Sequence, residues 1–175
     1  MKYIFIISMM LLTLLTGCAT NTINRSPALT LNKHDSIALL PMENHTQTSQ
    51  AGLRMQAIVQ NLLLIKGSAG LETWQPDSNT DSLFEPANAK TTARAMTWAK
   101  QTGAQYAMTG SVTEWRYKTG VDGEPAVGAT LQLIDMKTGN IVWNSVGAKA
   151  GWGRDSVSDV AQQLLQHMTS NLRLQ

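Results

Sequence analysis

Cys18 is the residue with the most readily assigned chemistry, and it is the only cysteine among the 175 residues of the chain. Lys2 gives a positive start, and residues 3–16 form an apolar stretch with the length of a secretory h-region, too short to span a bilayer comfortably. Residues 15–17, Leu-Thr-Gly, match a bacterial lipobox, where small residues fit the signal peptidase and the thiol takes a diacylglyceryl group. We therefore predict a lipoprotein signal peptide over residues 1–17 and acylation of Cys18.

This prediction implies a location. Cleavage leaves Cys18 as the first residue, and several acyl chains of the palmitate type anchor a protein far more durably than one myristoyl chain. Ala19 follows the cysteine instead of the Asp that favours retention at the inner membrane. We expect an outer-membrane anchor, a lipidated tether over residues 18–35 and a periplasmic domain over residues 36–175. The alternative is a buried cysteine behind an uncleaved anchor helix.

No pattern for catalysis or metal binding is recognised in the sequence. The three histidines, at positions 34, 45 and 167, have no second ligand at helical spacing. A Gly-x-Ser-x-Gly elbow and a phosphate-binding glycine loop are both missing. A formal charge of +2 over this length excludes a nucleic-acid binder. We predict a protein that is not an enzyme, with no metal and no cofactor.

Trp152 stands between two glycines, with Lys149 and Arg154 beside it in the sequence. A tryptophan in this setting is presented by a flexible turn, and indole rings favour the headgroup region of a membrane. The two cations suit anionic lipid. These three residues are therefore predicted membrane contacts; the alternative is a ring that folds back over the edge of the core.

Acidic residues gather in two connections. Between Glu72 and Lys90 the chain has no basic residue, and the segment from 76 to 86 is a polar loop. Acidic loops are usually solvated surface, but many copies around one opening focus their field on a cationic ligand. The candidate residues for such steering are Asp77, Asp81, Glu85, Asp122 and Glu124.

Apolar periodicity predicts the elements that position these residues. A buried strand over 36–42, stopped by Pro41, precedes a helix over 50–66, and a strand over 71–75 precedes an alanine-faced helix over 87–102. A three-strand antiparallel meander and a final helix complete the chain. The fold class is α/β, a mixed sheet with helices packed on it in a single domain.

Finer features of the second half are also predicted. Apolar residues change parity at Trp115, which indicates a bulge. The alternating aromatic and charged residues 114–118 indicate an exposed sheet face or a subunit contact. Gly139 supplies the positive φ of a hairpin. Ser156, three residues before Asp159, begins the last helix as a capping box.

Several of these segments together resemble the PelC family, the outer-membrane lipoproteins of Pel polysaccharide export. The match begins at Ala38-Leu39-Leu40-Pro41-Met42-Glu43-Asn44-His45-Thr46 and Ala51-Gly52-Leu53-Arg54. It continues through residues 109–128, which is its most distinctive part, and through Leu133-Ile134-Asp135-Met136-Lys137-Thr138-Gly139 with Trp143 and Gly151-Trp152. The resemblance covers roughly residues 36–172.

The resemblance implies a homo-oligomeric ring of about twelve subunits on the periplasmic face of the outer membrane. Its partners would be the family's porin, PelB, and Pel itself, a cationic aminosugar polymer of biofilms that an electronegative funnel steers toward the pore. Cys18 would be the lipid site and Trp152 the membrane-proximal tryptophan. By extension, we predict that the five acidic residues named above contribute to such a funnel.

Two other classes remain open at this stage. A curli-channel-type secretion lipoprotein would need long amphipathic hairpins of about ten residues per strand, which only residues 106–118 with 127–135 approach. A monomeric periplasmic adaptor that activates a cell-wall synthase is the second alternative. It differs from the ring in its oligomeric state.

Overall fold

Residues 37–42 are apolar and buried on both faces, as a central strand between two helical layers must be. The computed structural model describes residues 21–75, 89–119 and 123–175. The strands are β1 Asn21–Arg25, β2 Leu29–Leu31, β3 Ser36–Asn44, β4 Gly70–Thr73, β5 Tyr106–Tyr117, β6 Pro125–Asp135, β7 Ile141–Ala150 and β8 Leu172–Leu174; the helices are α1 Ala51–Ile65, α2 Ala89–Gln101 and α3 Val157–Met168.

Six strands form one mixed sheet in the order β1-β7-β6-β5-β3-β4, and β2 pairs with β8 separately. β3 is parallel to both β4 and β5, whereas β5, β6, β7 and β1 are antiparallel neighbours. The crossover from β3 to β4 and the crossover from β4 back to β5 run in opposite directions along the sheet. Because both crossovers are right-handed by rule, α1 and α2 must lie on opposite faces.

The two faces have cores of unequal size. The larger core joins α1 and α3 to the sheet around Leu39, Met55 and Leu164, all of which are fully buried. The smaller core lies under α2, around Ala38, Leu40 and Ala107. α2 packs on β3 and leaves the β6–β7–β1 half of that face without a helix among the described residues. The predicted α/β class and single domain are confirmed, and the predicted element order holds from β3 to α3, with β1, β2 and β8 in addition.

Details of the predicted elements need correction. Pro41 does not stop β3, because the pairing with β5 shifts between Leu39 and Met42 and so avoids the missing N–H. The predicted alanine face of α2 is supplied by Ala95 and Ala99, which are fully buried. The chain does not end with the predicted final helix, because α3 stops at Met168 and β8 follows it.

The predicted tether is wrong over its described part. Residues 21–25 are an edge strand paired with β7, and residues 29–31 pair with β8. Arg25 reinforces this pairing through a hydrogen bond from its guanidinium to the carbonyl oxygen of His167, 2.7 Å away. The chain from residue 21 onward therefore belongs to the folded domain.

Three local predictions are confirmed. β5 has a register shift between Val112 and Glu114, at the predicted parity change. Gly139 has a φ of 74° in the β6–β7 hairpin. Ser156 is the N-cap of α3, and its hydroxyl accepts a hydrogen bond from the backbone N–H of Asp159 at 3.0 Å, which is the N-cap half of the predicted capping box.

Candidate membrane-facing site

One end of the sheet gathers most of the described candidate residues. β1 begins there, since Asn21 pairs with Lys149 near the end of β7. β5 ends there and β6 begins there, since Tyr117 pairs with Pro125. We call this the anchor end; it comprises Asn21, Tyr117, Lys118, residues 123–125 and residues 149–155.

Trp152 lies in a turn held by specific hydrogen bonds. Its backbone N–H donates to Oδ2 of Asp155 at 2.8 Å, and the N–H of Asp155 donates back to the Trp152 carbonyl oxygen at 2.9 Å. The N–H of Gly151 donates to the carbonyl oxygen of Pro125 at 2.8 Å. The prediction of a flexible turn is therefore wrong, because these three hydrogen bonds hold the backbone around Trp152 in a defined conformation.

Gly151 is required at the start of this turn for lack of space. A Cβ atom there would lie 2.6 Å from Cγ2 of Val160 and 2.7 Å from Oδ2 of Asp155. The turn consequently packs against α3 without a side chain in between. The Trp152 side chain is 57% exposed, so it does not cover the core as the alternative interpretation required.

The cations and aromatics around Trp152 share the anchor end. Lys149 is half-buried and Arg154 is exposed. Tyr117, which sequence analysis did not propose as a membrane contact, is 53% exposed at the end of β5. Its position in the predicted alternation of residues 114–118 was the available signal. Trp115, in the same segment, is buried in the larger core. Residues 114–118 therefore do not form one exposed face.

Glu124 is the only candidate steering residue that the structure describes. Its carboxylate lies 3.8 Å from the Lys118 ammonium, and its carbonyl oxygen accepts a hydrogen bond from the Lys118 N–H at 2.7 Å. The sequence did not reveal this ion pair, which depends on the register of the β5–β6 hairpin. Five predicted site residues lie outside the described residues: Cys18, Asp77, Asp81, Glu85 and Asp122.

His45 follows β3 and forms a small polar cluster. Its Nε2 atom lies 3.3 Å from a Glu43 carboxylate oxygen, and the Thr92 hydroxyl donates to the other oxygen at 3.4 Å. Three metal-ligating side chains do not converge anywhere in the described parts of the chain. Over the same residues, no helix has the length and apolarity needed to cross a membrane.

Two side chains away from the anchor end have perturbed acid-base behaviour. Burial, followed by the carboxylates of Asp35 and Asp135, raises the pKa of Tyr106 at the opposite end of the sheet. Burial lowers the pKa of Lys66, which follows α1. Neither residue contacts the anchor end, so neither shift supplies a reactive group there.

Comparison with known proteins places this arrangement among lipoproteins. Residues 75–148 match the model of the peptidoglycan-synthase activator LpoB family. A PelC dodecamer from Paraburkholderia phytofirmans is 35% identical, with a TM-score of 0.74, and the alignment covers 89% of this chain and 99% of that chain. A variant PelC dodecamer from the same organism is 34% identical, with a TM-score of 0.75 and coverage of 89% and 100%.

A structure of lower sequence identity is similar to this chain in its fold alone. Lipoprotein GNA1162 from Neisseria meningitidis is 18% identical, with a TM-score of 0.54, over 78% of this chain and 96% of that chain. A search of curated protein sequences found no match. The similarity to the PelC structures spans the domain at 34–35% identity.

Proposed function

The chain belongs to the PelC family, and from this premise we propose that it is an outer-membrane lipoprotein whose copies form a ring that assists Pel export. In this proposal Cys18 is lipidated, the ring lies at the periplasmic face and the cationic polymer leaves through the porin PelB. The protein performs no catalysis; it positions and steers.

The observation that carries the proposal is the match to the PelC dodecamers, because it covers at least 99% of each of those chains. The correspondence therefore extends over the whole PelC domain and is not confined to one motif or one edge of the sheet. A dodecameric ring uses heterologous contacts, so each subunit must present two unlike surfaces.

The anchor end supports the proposed membrane seating. Cys18 precedes Asn21 by three residues, which the chain spans with at most about 11 Å. Asn21 pairs with Lys149, and Trp152 follows three residues later. A lipid on Cys18 is thereby restricted to the same end of the sheet as Trp152, Lys149, Arg154 and Tyr117. Exposed indole and phenol rings with nearby cations are the side chains that anionic interfaces favour.

Electrostatic steering is the finer part of the proposal. The formal charge of +2 gives the chain no overall negative field, so attraction of a cationic polymer must come from local carboxylates repeated around the ring. Asp122 and Glu124 belong to the β5–β6 connection. Asp77, Asp81 and Glu85 belong to the polar loop of residues 76–86. The ammonium of Lys118 offsets part of the charge of Glu124.

Complementation tests the proposal directly. In a Pel-producing host that lacks its own PelC, the wild-type chain should restore Pel-dependent biofilm, and Cys18→Ala should not. His45→Ala should restore it fully, because the proposal gives His45 no chemical role. Failure of the wild-type chain in a host whose PelB matches it would contradict the export function.

The family match over residues 75–148 favours a second candidate, an activator of a peptidoglycan synthase. This adaptor would act as a monomer, whereas the export protein assembles. Mass photometry of the detergent-solubilised full chain separates the two candidates. Stimulation of purified synthase by a chain that stays monomeric would support the adaptor instead.

A further inference from the structure

The two N-terminal strands are held by elements from the other end of the chain. β1 pairs with β7, and β2 pairs with β8, which begins at Leu172. We call residues 21–31, which contain β1 and β2, the arm. Cys18 precedes Asn21 by three residues, so the arm joins the proposed lipid to the rest of the domain.

Apolar packing alone holds β1 weakly. Ile23 is its one apolar side chain, and it packs on the larger core in space left by Gly147, where a Cβ atom would lie 3.1 Å from Cγ1 of Ile23. The other residues of β1 are exposed. An edge strand with so little buried apolar surface opens locally at low cost. Polar contacts must therefore contribute much of what keeps β1 in place.

Arg25 supplies a contact between the end of β1 and the end of α3. Its guanidinium donates hydrogen bonds to the carbonyl oxygen of His167 at 2.7 Å and to the hydroxyl of Ser170. The carbonyl of His167 lies in the last turn of α3, where the helix dipole favours a cation. One charged side chain thus connects the start of the folded chain with its last helix.

A second group of contacts lies beside Arg25. The side-chain amide of Asn171 donates to the carbonyl oxygen of Ser26 at 2.8 Å, and its Oδ1 atom accepts the indole N–H of Trp143 at 3.1 Å. The Ser26 hydroxyl accepts the N–H of Asn144 at 2.9 Å, and the Ser26 N–H donates to the Asn144 carbonyl oxygen at 3.0 Å. The polar contacts of the arm are therefore concentrated at the end of β1 that is remote from the lipid site.

Docking of β1 determines how far the lipid can lie from the folded domain. With β1 docked, the chain from Cys18 to Asn21 spans at most about 11 Å. With β1 released and β2 still paired, the chain from Cys18 to Leu29 spans at most about 38 Å. β6 has 11 residues and is about 36 Å long. Release of β1 would therefore let the lipid reach either end of the sheet.

We propose that Arg25 is the positioning residue of the membrane anchor: its contact with the end of α3 keeps β1 docked and so holds the lipid at the same end as Trp152. The inference rests on the proposed lipidation of Cys18. Arg25→Ala should release β1 while the rest of the domain stays folded, because β2 still pairs with β8 and the other strands of the sheet pair without β1.

Hydrogen exchange, measured by mass spectrometry on the full chain in detergent, tests the docking. In Arg25→Ala, the amides of residues 21–26 should exchange about tenfold faster or more, since a hydrogen bond from a charged donor ordinarily contributes at least that factor. Arg25→Lys should give a smaller increase, because an ammonium can still donate to the His167 carbonyl. Arg173→Ala, the matched control, removes an exposed cation from β8 and should leave this exchange unchanged.

A double-mutant cycle tests whether the contact with α3 is responsible. Ser170→Ala removes one acceptor of the Arg25 guanidinium and should also speed exchange of residues 21–26. Because both substitutions remove the same contact, the double variant should show less than the combined effect of the two single variants. Fully additive effects would contradict the assigned contact.

Energy transfer between the domain and the bilayer tests the positioning. A donor dye on Lys137→Cys labels the β6–β7 hairpin, at the end of the sheet opposite Trp152, and headgroup-labelled lipids carry the acceptor in vesicles that hold the lipidated chain. Acylation of Cys18 leaves the introduced cysteine as the thiol that is labelled. Transfer should be low with Arg25 present and in the Arg173→Ala control. It should rise in Arg25→Ala, because a longer link lets the labelled end approach the bilayer.

The outcomes separate this inference from the export function. Faster exchange of residues 21–26 together with higher energy transfer in Arg25→Ala would support the positioning role, even if no chain restores Pel export. Unchanged exchange, or faster exchange with unchanged transfer, would overturn it. Faster exchange throughout the domain would also overturn it, because Arg25 would then stabilise the fold as a whole.

Discussion

At the scale of the single residue, two tryptophans near opposite ends of β7 differ in their burial. Trp143 is buried and donates its indole N–H to Asn171 at 3.1 Å, whereas Trp152 is exposed. We expect Trp152→Ala to leave the melting temperature unchanged and to impair Pel export, because only an exposed ring can enter the membrane interface. Trp143→Ala should instead destabilise the domain by about 3–5 kcal/mol.

The comparison is made by thermal denaturation and by biofilm assay of both variants at matched expression. Wild-type biofilm from a stably folded Trp152→Ala chain would remove its proposed role at the membrane. A large fall in its melting temperature would mean that Trp152 supports the fold instead.

The charges of the β5–β6 connection allow a second prediction at this scale. We expect the double variant Asp122→Lys and Glu124→Lys to lower export, and to lower it most at low ionic strength, because exposed charges are screened by salt. Lys118→Gln removes the cation paired with Glu124 and should not lower export. Biofilm and secreted polymer are measured over a range of salt. Equal export by all chains at every ionic strength would indicate that these carboxylates are merely solvated.

At the scale of the element, the contact between α1 and β3 depends on Gly52. Alanine ordinarily favours a helix over glycine by about 1 kcal/mol, but here its Cβ would lie 2.2 Å from the Met42 carbonyl oxygen. Helix and strand would have to separate, so we expect Gly52→Ala to cost about 2 kcal/mol net, a fall in melting temperature of about 4–8 °C.

Ala57→Gly is the matched control in the same helix, since Ala57 is exposed and only helix propensity changes. It should cost about 1 kcal/mol. A Gly52→Ala chain that melts at or above the wild-type temperature would show that the two elements adjust without loss.

The elements also differ in how far the sequence predicts them. The bulge in β5 was predictable, because the parity of buried residues changes at Trp115. β1 was not, because it contains a single apolar side chain, Ile23, and its hydrogen bonds go to a strand far along the chain. Pairing with a remote partner leaves no local period in the sequence.

The same distinction applies to the candidate site. The exposure of Trp152 was predicted, but from a flexible turn that the structure does not have; the turn that presents Trp152 depends on Asp155 and Pro125, which only the fold brings together. The ion pair of Glu124 with Lys118 likewise needs the hairpin register. The residue types in the sequence identified the candidate side chains. Their hydrogen bonds and ion pairs depend on tertiary contacts that the sequence does not reveal.

At the scale of the whole molecule, the short connection between lipid and fold should control how the ring sits on the membrane. Because β1 begins at Asn21 and pairs with β7 at Lys149, the proposed lipid on Cys18 would act at the same end of the domain as Trp152. Ten Gly/Ser residues inserted before Asn21 would add a flexible span of about 17 Å. We expect the inserted chain to remain in the membrane fraction, since the acyl chains are unchanged, but to export less Pel, since the rings no longer lie flat against the bilayer. The same ten residues added after Gln175 should leave export unchanged. Normal export by both chains would indicate that the lipid only attaches the protein to the membrane and does not set the orientation of the ring.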